Sequence, residues 1–203
     1  QMRGWPTVSL EAAAPEGEPG SGAQPVAPRS ASIVLVGPMG AGKSSIGRRV
    51  AKALGLRVID TDSAIVRDHG AIAAIFAEHG EPHFRALERA AVHEALAVGG
   101  VVALGGGAVL HPDTEAELQG HDVVLLLVDA STVASRIRDD SRPLLRGASA
   151  VEDWKRIVNE RRPVYDRVAT ITFDTSRGPL QDVVNDIVAW AQDVTKEPHD
   201  EQH

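Results

Sequence analysis

The sequence predicts an α/β fold: a five-stranded parallel sheet sandwiched by helices. Short, continuously apolar segments alternate with segments of helical spacing, and continuous apolar runs are typical of strands buried on both faces. The five candidate strands are Ser32–Val36, Arg57–Ile59, Val101–Leu104, Val123–Val128 and Ala169–Phe173. Strands that alternate with helices form βαβ units, whose right-handed crossovers make neighbouring strands parallel.

Apolar residues spaced three and four apart predict helices between these strands. Such spacing follows the first strand, follows Pro82, and recurs near the C-terminus. The three sets are Ile46, Val50, Ala53 and Leu54; Phe84, Leu87, Ala91, Ala95 and Leu96; and Leu180, Val183, Val184, Ile187 and Val188. Each set forms one apolar face that can pack on the sheet.

Composition excludes several classes of protein. With 203 residues and 43% hydrophobic content the chain can build one domain with a real core. The net charge of −7 and the 3% aromatic content argue against a nucleic-acid partner. The longest aliphatic run, Val123–Val128, is far shorter than the roughly 20 residues of a membrane span. Without cysteine, disulfides and thiol catalysis are excluded. We expect a cytoplasmic monomer that binds neither nucleic acid nor membrane.

The domain boundaries follow from composition. Residues 1–31 are rich in proline, glycine and alanine without an apolar period, which predicts a disordered N-terminal extension. Residues 32–192 form the predicted domain, and the polar residues 193–203 are expected to be a flexible C-terminal tail.

A phosphate-binding loop follows the first strand. The segment Gly37–Ser44, called the P-loop below, matches the pattern Gly-x-x-x-x-Gly-Lys-Ser/Thr. Its glycines let consecutive amides point at a phosphate, Lys43 reaches the β and γ phosphates, and the Ser44 hydroxyl ligates Mg²⁺. The predicted nucleoside triphosphate-binding residues of this segment are Gly40, Ala41, Gly42, Lys43, Ser44 and Ser45.

The remaining motifs favour a small kinase over other P-loop proteins. The sequence contains neither the Asn-Lys-x-Asp pattern nor the Asp-x-x-Gly pattern of GTPases, and the chain is too short for a large motor or transporter ATPase. Asp60 and Asp62 follow the second strand, and their spacing along a strand would place both carboxylates on the P-loop side. One could support Mg²⁺ and the other an acceptor hydroxyl; the alternative is a solvated cap of the next helix.

Three consecutive glycines, Gly105, Gly106 and Gly107, follow the third strand. Because such a run is costly in backbone entropy, it indicates either close approach of the backbone to a small ligand or a plain flexible turn. We call this segment the glycine turn.

Taken together, the motifs resemble those of shikimate kinases. They occur in the family's order: the P-loop with Lys43-Ser44, Asp60-Thr61-Asp62, Phe84-Arg85-x-x-Glu88, the glycine turn, Arg142-Pro143-Leu144-Leu145 and Arg161-x-Pro163-x-Tyr165. The resemblance covers about residues 32–190. It implies a P-loop NTPase architecture similar to the nucleoside monophosphate kinases, with a mobile lid at about 139–150. It also implies ATP-dependent phosphorylation of the shikimate 3-hydroxyl, on the route to chorismate and the aromatic amino acids.

The resemblance also implies roles for individual residues. Arg85 and Arg161 would hold the substrate carboxylate, and the glycine turn would offer a backbone amide at Gly106. Asp62 would bind the ring hydroxyls and, with Lys43 and Arg142, form the catalytic set.

Two further roles concern the nucleotide side. Arg142, in the lid, would meet the transferring phosphate, whereas Arg177 would contact the adenine. Asp60 would join Ser44 in the Mg²⁺ site, directly or through water.

Other readings of these residues remain open. Asp129 follows a strand as a Walker B acid would, although the resemblance favours Asp60 for the metal and makes Asp129 a helix cap. Trp154 and Trp190 fall on helical faces and are expected to pack rather than to function. The rival activities are a gluconate-type or other small-acid kinase, and a nucleotide-binding regulator without catalysis.

Overall fold

The five predicted strands are confirmed, with bounds that differ by one or two residues. A computed structural model describes residues 32–137 and 150–196. The strands are β1 (Ile33–Val36), β2 (Val58–Asp60), β3 (Val101–Ala103), β4 (Asp122–Leu127) and β5 (Ile171–Asp174). The helices are α1 (Lys43–Leu54), α2 (Thr61–His69), α3 (Ile72–Val98), α4 (Pro112–Leu118), α5 (Ala130–Ile137), α6 (Ala150–Val168) and α7 (Leu180–Lys196), with a 3₁₀ turn at Ala108–Leu110.

All five strands are parallel, in the order β2-β3-β1-β4-β5. β1 lies in the centre and pairs with β3 (Leu35 opposite Ala103) and with β4 (Leu35 opposite Val124). Because the strands run in one direction, their carboxyl ends share one edge of the sheet, where ligands of open α/β sheets bind. The P-loop begins at the centre of that edge, where β1 ends.

Helices cover both faces of the sheet, which explains the continuously apolar strands. Ile33 and Leu35 of β1 pack in one core cluster with α1 and α7, whereas Val34 and Val36 pack in another with α3, α4 and α6. All four side chains are at most 1% exposed. Since neighbouring residues of a strand point to opposite faces, neither face could carry polar residues.

Helix α3 contains a bend that separates two packing surfaces. Gly80 has non-helical dihedral angles (φ 79°, ψ 173°), and Pro82 follows it. A proline cannot donate the hydrogen bond that a continuous helix would need there, but it suits the first turn of a new helix segment. Ile75, before the bend, and Phe84, after it, form a small third core cluster with Ile65 of α2.

Some expectations from the sequence lie outside the described residues. These concern the N-terminal segment 1–31, residues 139–149 of the predicted lid with Arg142, and residues 197–203. The last residue of the predicted lid, Ala150, begins α6. Helix α7 continues to Lys196, so it reaches into the segment expected to be a C-terminal tail. Among the described helices, none combines the length and apolar character needed to cross a membrane.

A partly buried histidine contact links the start of β1 to the start of β4. The backbone N–H of Ser32 donates to Nδ1 of His121 over 3.0 Å, which requires that this ring nitrogen carry no proton. Burial lowers the pKa of His121, and the nearby acids Asp122 and Glu117 oppose that shift without cancelling it.

We expect the contact to make stability depend on pH. The folded state resists protonation of His121, so the unfolded state binds more protons once the pH falls below its ordinary pKa of 6.5. The free energy of unfolding should therefore fall as pH drops from about 6.5 towards the lower folded pKa. In His121→Asn the melting temperature should decrease less between pH 7.5 and pH 5.5 than in the wild type, measured by circular dichroism. His69→Asn, at an exposed position, is the control; parallel curves for wild type and His121→Asn would contradict the expectation.

Candidate active site

The P-loop wraps around the N-terminus of α1. Gly37 has φ 134°, and a Cβ at this position would lie 2.2 Å from the carbonyl oxygen of Leu126 on β4, so no other residue fits without a backbone shift. Gly42, with φ 87°, precedes the first helical residue, Lys43. The predicted ATP-binding residues therefore occupy one loop and the first turn of a helix whose positive dipole end faces the carboxyl edge.

The Lys43 side chain folds back over its own loop. Its Nζ donates to the carbonyl oxygens of Gly37 (2.8 Å) and Pro38 (3.0 Å). These contacts hold the ammonium group beside the helix N-terminus, where a bound phosphate would meet it. The predicted roles of Ser44 and Ser45, in the first turn of α1, stay predictions.

Asp60 and Asp62 do not share a strand, so the expectation that strand spacing aligns their carboxylates is wrong. β2 ends at Asp60 and α2 begins at Thr61, which places Asp62 in the first helical turn. Asp60 caps this helix, because its Oδ1 accepts a hydrogen bond from the N–H of Ser63 (2.9 Å). The capping alternative is thus correct for Asp60, while helix geometry, not strand pleating, directs Asp62 towards the glycine turn.

The glycine turn is crowded by protein side chains. A Cβ on Gly105 would lie 2.6 Å from Oδ1 of Asp62 and 2.8 Å from Oε1 of Glu88, and one on Gly107 would lie 2.4 Å from Nη1 of Arg85. Neither glycine has a positive φ, so close approach and not backbone conformation explains them. Close approach is thus present at these two positions, but to the protein's own side chains; close approach to a small ligand stays a prediction.

Thr61 connects Asp62 to the glycine turn. Its buried hydroxyl accepts from the N–H of Gly105 (3.0 Å) and lies 3.4 Å from the carbonyl oxygen of Ala103, to which it donates. Thr61 is 0% exposed, so both partners depend on this hydroxyl instead of water. The N-terminus of α2 is thereby fixed against the end of β3.

Arg85 is held by two carboxylates of its own helix. Nη1 donates to Oε2 of Glu88 (2.7 Å), and Nη2 donates to Oε1 of Glu81 (3.0 Å). Burial alone would lower the pKa of Arg85, but attraction to Glu88 and the hydrogen bonds outweigh it and raise that pKa. The guanidinium group is therefore a permanent cation with a fixed direction.

Glu88 belongs to the site although the sequence argument gave it no role. It is 4% exposed, and burial raises its pKa against the opposing charges of Arg85 and Arg161, with the Asp62 charge adding to the rise. A usable signal was present: a glutamate three residues after Arg85, on the same face of a helix whose neighbouring positions are apolar. A buried carboxylate at such a place needs a cationic partner.

Helix α6 supplies Arg161 and Tyr165. The Tyr165 hydroxyl, on a residue 1% exposed, donates to the carbonyl oxygen of Gly106. Burial raises the pKa of Tyr165, while the neighbouring Arg161 charge acts in the opposite direction. Tyr165 is thus a neutral donor that ties the glycine turn to α6.

Gly106 is the point where these groups meet the P-loop. A Cβ on Gly106 would lie 3.6 Å from Nη1 of Arg161 and 3.6 Å from the carbonyl oxygen of Gly37. The structure thus brings together Asp62, Arg85, Arg161 and the glycine turn, which we call the acceptor pocket, directly beside the P-loop. The arrangement suits a small molecule with a carboxylate and hydroxyl groups.

Asp129 is a helix cap, as the sequence analysis favoured. Its Oδ1 accepts from the N–H of Thr132 (2.7 Å) and the hydroxyl of Ser131 (2.8 Å), at the start of α5. These hydrogen bonds lower the pKa of Asp129, and the charge of Arg177 contributes in the same direction. Arg177 is exposed in the turn after β5, on the opposite side of the P-loop from the acceptor pocket.

The residues predicted to hold Mg²⁺ fit an ion bound mainly by phosphate and water. Ser44 follows β1 and Asp60 ends β2, with β3 between them, so the strand ends are about 10 Å apart. Within residues 32–137 and 150–196 no group of three or more His, Asp or Glu side chains could hold a metal ion. Mg²⁺ keeps several waters and commonly takes only one or two protein ligands, which a hydroxyl and one carboxylate can supply.

Comparison with known proteins points to one family. A family model described as Shikimate kinase matches residues 39–192. A shikimate kinase of Mycobacterium marinum is 46% identical over 165 residues, covering 80% of this chain and 90% of that protein. A shikimate kinase of Thermobifida fusca is 49% identical over 146 residues, covering 70% of this chain and 84% of that protein.

Solved structures with the same fold include kinases of two acids. A shikimate kinase from Acinetobacter baumannii in complex with shikimate is 34% identical with a TM-score of 0.76, covering 82% of this chain and 96% of that one. A gluconokinase from Sinorhizobium meliloti is 22% identical with a TM-score of 0.59, covering 84% of this chain and 96% of that one. The second likeness concerns the fold alone.

The hydroxyl of Thr61 should contribute measurably to stability. Thr61→Val keeps the shape of the side chain but leaves the buried N–H of Gly105 without its acceptor. We expect the free energy of unfolding to fall by about 1–3 kcal/mol, measured by urea denaturation. Thr61→Ser retains the hydroxyl and should lose less. A valine variant as stable as the wild type would refute the assignment.

Proposed function

The chain belongs to the shikimate kinase family, and we propose that it transfers the γ-phosphoryl group of ATP to the 3-hydroxyl of shikimate. The products are shikimate 3-phosphate and ADP, on the route to chorismate and the aromatic amino acids. The observation that carries the proposal is Gly106, where Arg161 and the P-loop approach the same point: a Cβ there would lie 3.6 Å from both Nη1 of Arg161 and the carbonyl oxygen of Gly37. A phosphoryl acceptor held by Arg161 and a donor held by the P-loop would therefore be adjacent.

In the acceptor pocket, two cations and one acid would divide the substrate between them. Arg85 and Arg161 would bind the carboxylate, because a guanidinium fork matches a planar carboxylate. Glu88 and Glu81 support Arg85 by fixing its direction. Asp62 would accept the hydrogen bond of the reacting hydroxyl and take its proton.

On the nucleotide side, the work is positioning and charge neutralisation. The amides of the P-loop and of the first turn of α1 would bind the phosphates, and Lys43 would exchange its contacts with the carbonyl oxygens of Gly37 and Pro38 for phosphate oxygens. Arg142 is proposed to neutralise the transferring group and Arg177 to contact adenine. Arg142 lies outside the described residues.

Mg²⁺ belongs to the proposal as the partner of ATP. When bound, it would neutralise charge on the β and γ phosphates. Ser44 would ligate it, and Asp60 would support it through water. The hydrogen bond that Asp60 accepts from the N–H of Ser63 keeps this carboxylate oriented.

We also propose that the enzyme is a cytoplasmic monomer whose partner is this small molecule alone, without nucleic acid or membrane. The acidic net charge of −7 does not favour binding to a polyanion.

The acceptor is the first point to test. With Mg-ATP, we expect ADP release in a coupled assay to depend on shikimate and not on gluconate. Asp62→Asn should lower kcat about 100-fold or more because it removes the proposed base. Asp68→Asn, on the same helix but exposed and paired with Arg67, is the matched control. Turnover that favours gluconate, or that needs no acceptor, would exclude the proposal.

A methyl group at Gly105 should disturb the acceptor pocket selectively. In Gly105→Ala the new Cβ meets the carboxylates of Asp62 and Glu88, so both must move. Because displacements of about 1 Å cost up to about 100-fold in rate, we expect kcat/KM for shikimate to fall by about that factor, while ADP affinity stays the same. Gly120→Ala, whose Cβ would approach nothing closer than 3.8 Å, is the control. Wild-type kinetics in Gly105→Ala would show that the close approach has no functional importance.

A further inference from the structure

Two carbonyl groups of the P-loop accept hydrogen bonds from side chains of distant elements. Nε1 of Trp154, in α6, donates to the carbonyl oxygen of Met39 over 3.0 Å. Oγ1 of Thr175, directly after β5, donates to the carbonyl oxygen of Ala41 over 3.1 Å. Trp154 is 5% exposed and Thr175 is 1% exposed, so both donors are shielded from bulk water.

The Thr175 hydroxyl has a second neighbouring acceptor, but its single proton is best donated to the P-loop carbonyl oxygen of Ala41. Oγ1 also lies 2.9 Å from the carbonyl oxygen of Leu127. That carbonyl already accepts the backbone N–H of Thr175 over 2.8 Å. Donation to Ala41 therefore leaves both carbonyls with a donor, as polar groups shielded from water require.

Holding these carbonyls also sets the direction of the amides that follow them. In a trans peptide the C=O of one residue and the N–H of the next point in opposite directions within one plane. Fixing the Met39 carbonyl outward fixes the N–H of Gly40, and fixing the Ala41 carbonyl fixes the N–H of Gly42. Both glycines have positive φ values, 85° and 87°. Because glycine has no Cβ to restrict φ, its own backbone offers little resistance to rotation of the preceding peptide group.

We propose that Trp154 and Thr175 are positioning residues for the nucleotide: they orient the P-loop amides through the two carbonyl groups. The inference rests on the proposed function, in which those amides bind the phosphates of ATP. Trp154 also fills the core beside α1 and α7, but packing needs only a ring, whereas orientation needs its N–H. The two roles can be separated by removing the donor and keeping the shape.

The test uses variants that each lose one donor. Trp154→Phe keeps an aromatic ring and Thr175→Val keeps a branched side chain, while Trp190→Phe and Thr175→Ser are the matched controls. ADP binding without acceptor is measured by isothermal titration calorimetry. The KM values for ATP and shikimate are measured separately in the full-length enzyme.

We expect each donor-loss variant to bind ADP about 3- to 10-fold more weakly, the range for one hydrogen bond. KM for ATP should rise in parallel, KM for shikimate should stay within about twofold, and Thr175→Ser should bind like the wild type. If Trp154→Phe fails to fold, Thr175→Val decides alone.

Unchanged ADP affinity in the donor-loss variants would overturn the inference, and so would an equal loss for both substrates. Failure of the proposed function looks different. A wild type that binds ADP but does not phosphorylate shikimate refutes the activity, and the binding series still decides the role of the two anchors.

Discussion

The contact between the glycine turn and the P-loop is the constraint on which the site depends. β1 and β3 are paired neighbours, and the N–H of Leu104 donates to the carbonyl oxygen of Leu35 at their ends. The loops that leave these strands must therefore run side by side, and Gly106 meets the P-loop without a side chain between them. The pairing of β1 with β3 thus places the glycine turn against the P-loop.

The charges of the acceptor pocket are stable only as a group. Glu88 is nearly buried, and a buried carboxylate without a partner would be expensive. Arg85 provides that partner, and in exchange Glu88 directs the guanidinium towards the glycine turn. Because Asp62 and Arg161 also act on Glu88, the four side chains form one electrostatic unit. Removing one member would change the positions and the protonation of the others.

Local patterns in the sequence predicted the strands, the P-loop and the importance of the glycine turn. They could not predict which side chains crowd Gly105, because Asp62 and Glu88 reach it from two helices, 43 and 17 positions before it in the chain. The same limit applies to Trp154, correctly expected to be packed, whose N–H bonds to a residue 115 positions away. Strand alternation misplaced Asp62 because β2 ends at Asp60 and α2 begins at Thr61, so the strand never reaches Asp62.

Helix α6 is hydrogen-bonded to both halves of the site, the P-loop and the glycine turn. Trp154 bonds to Met39 in the P-loop and Tyr165 bonds to Gly106, and these residues lie about 16 Å apart along one helix. Phosphoryl transfer depends mainly on placing donor and acceptor in line, so an error in their separation cannot be recovered by chemistry elsewhere. The helix runs from Ala150 to Val168, with one backbone hydrogen bond missing at Pro163. Anchoring both loops to this helix therefore adds to the direct contact between them in fixing the separation that the reaction requires.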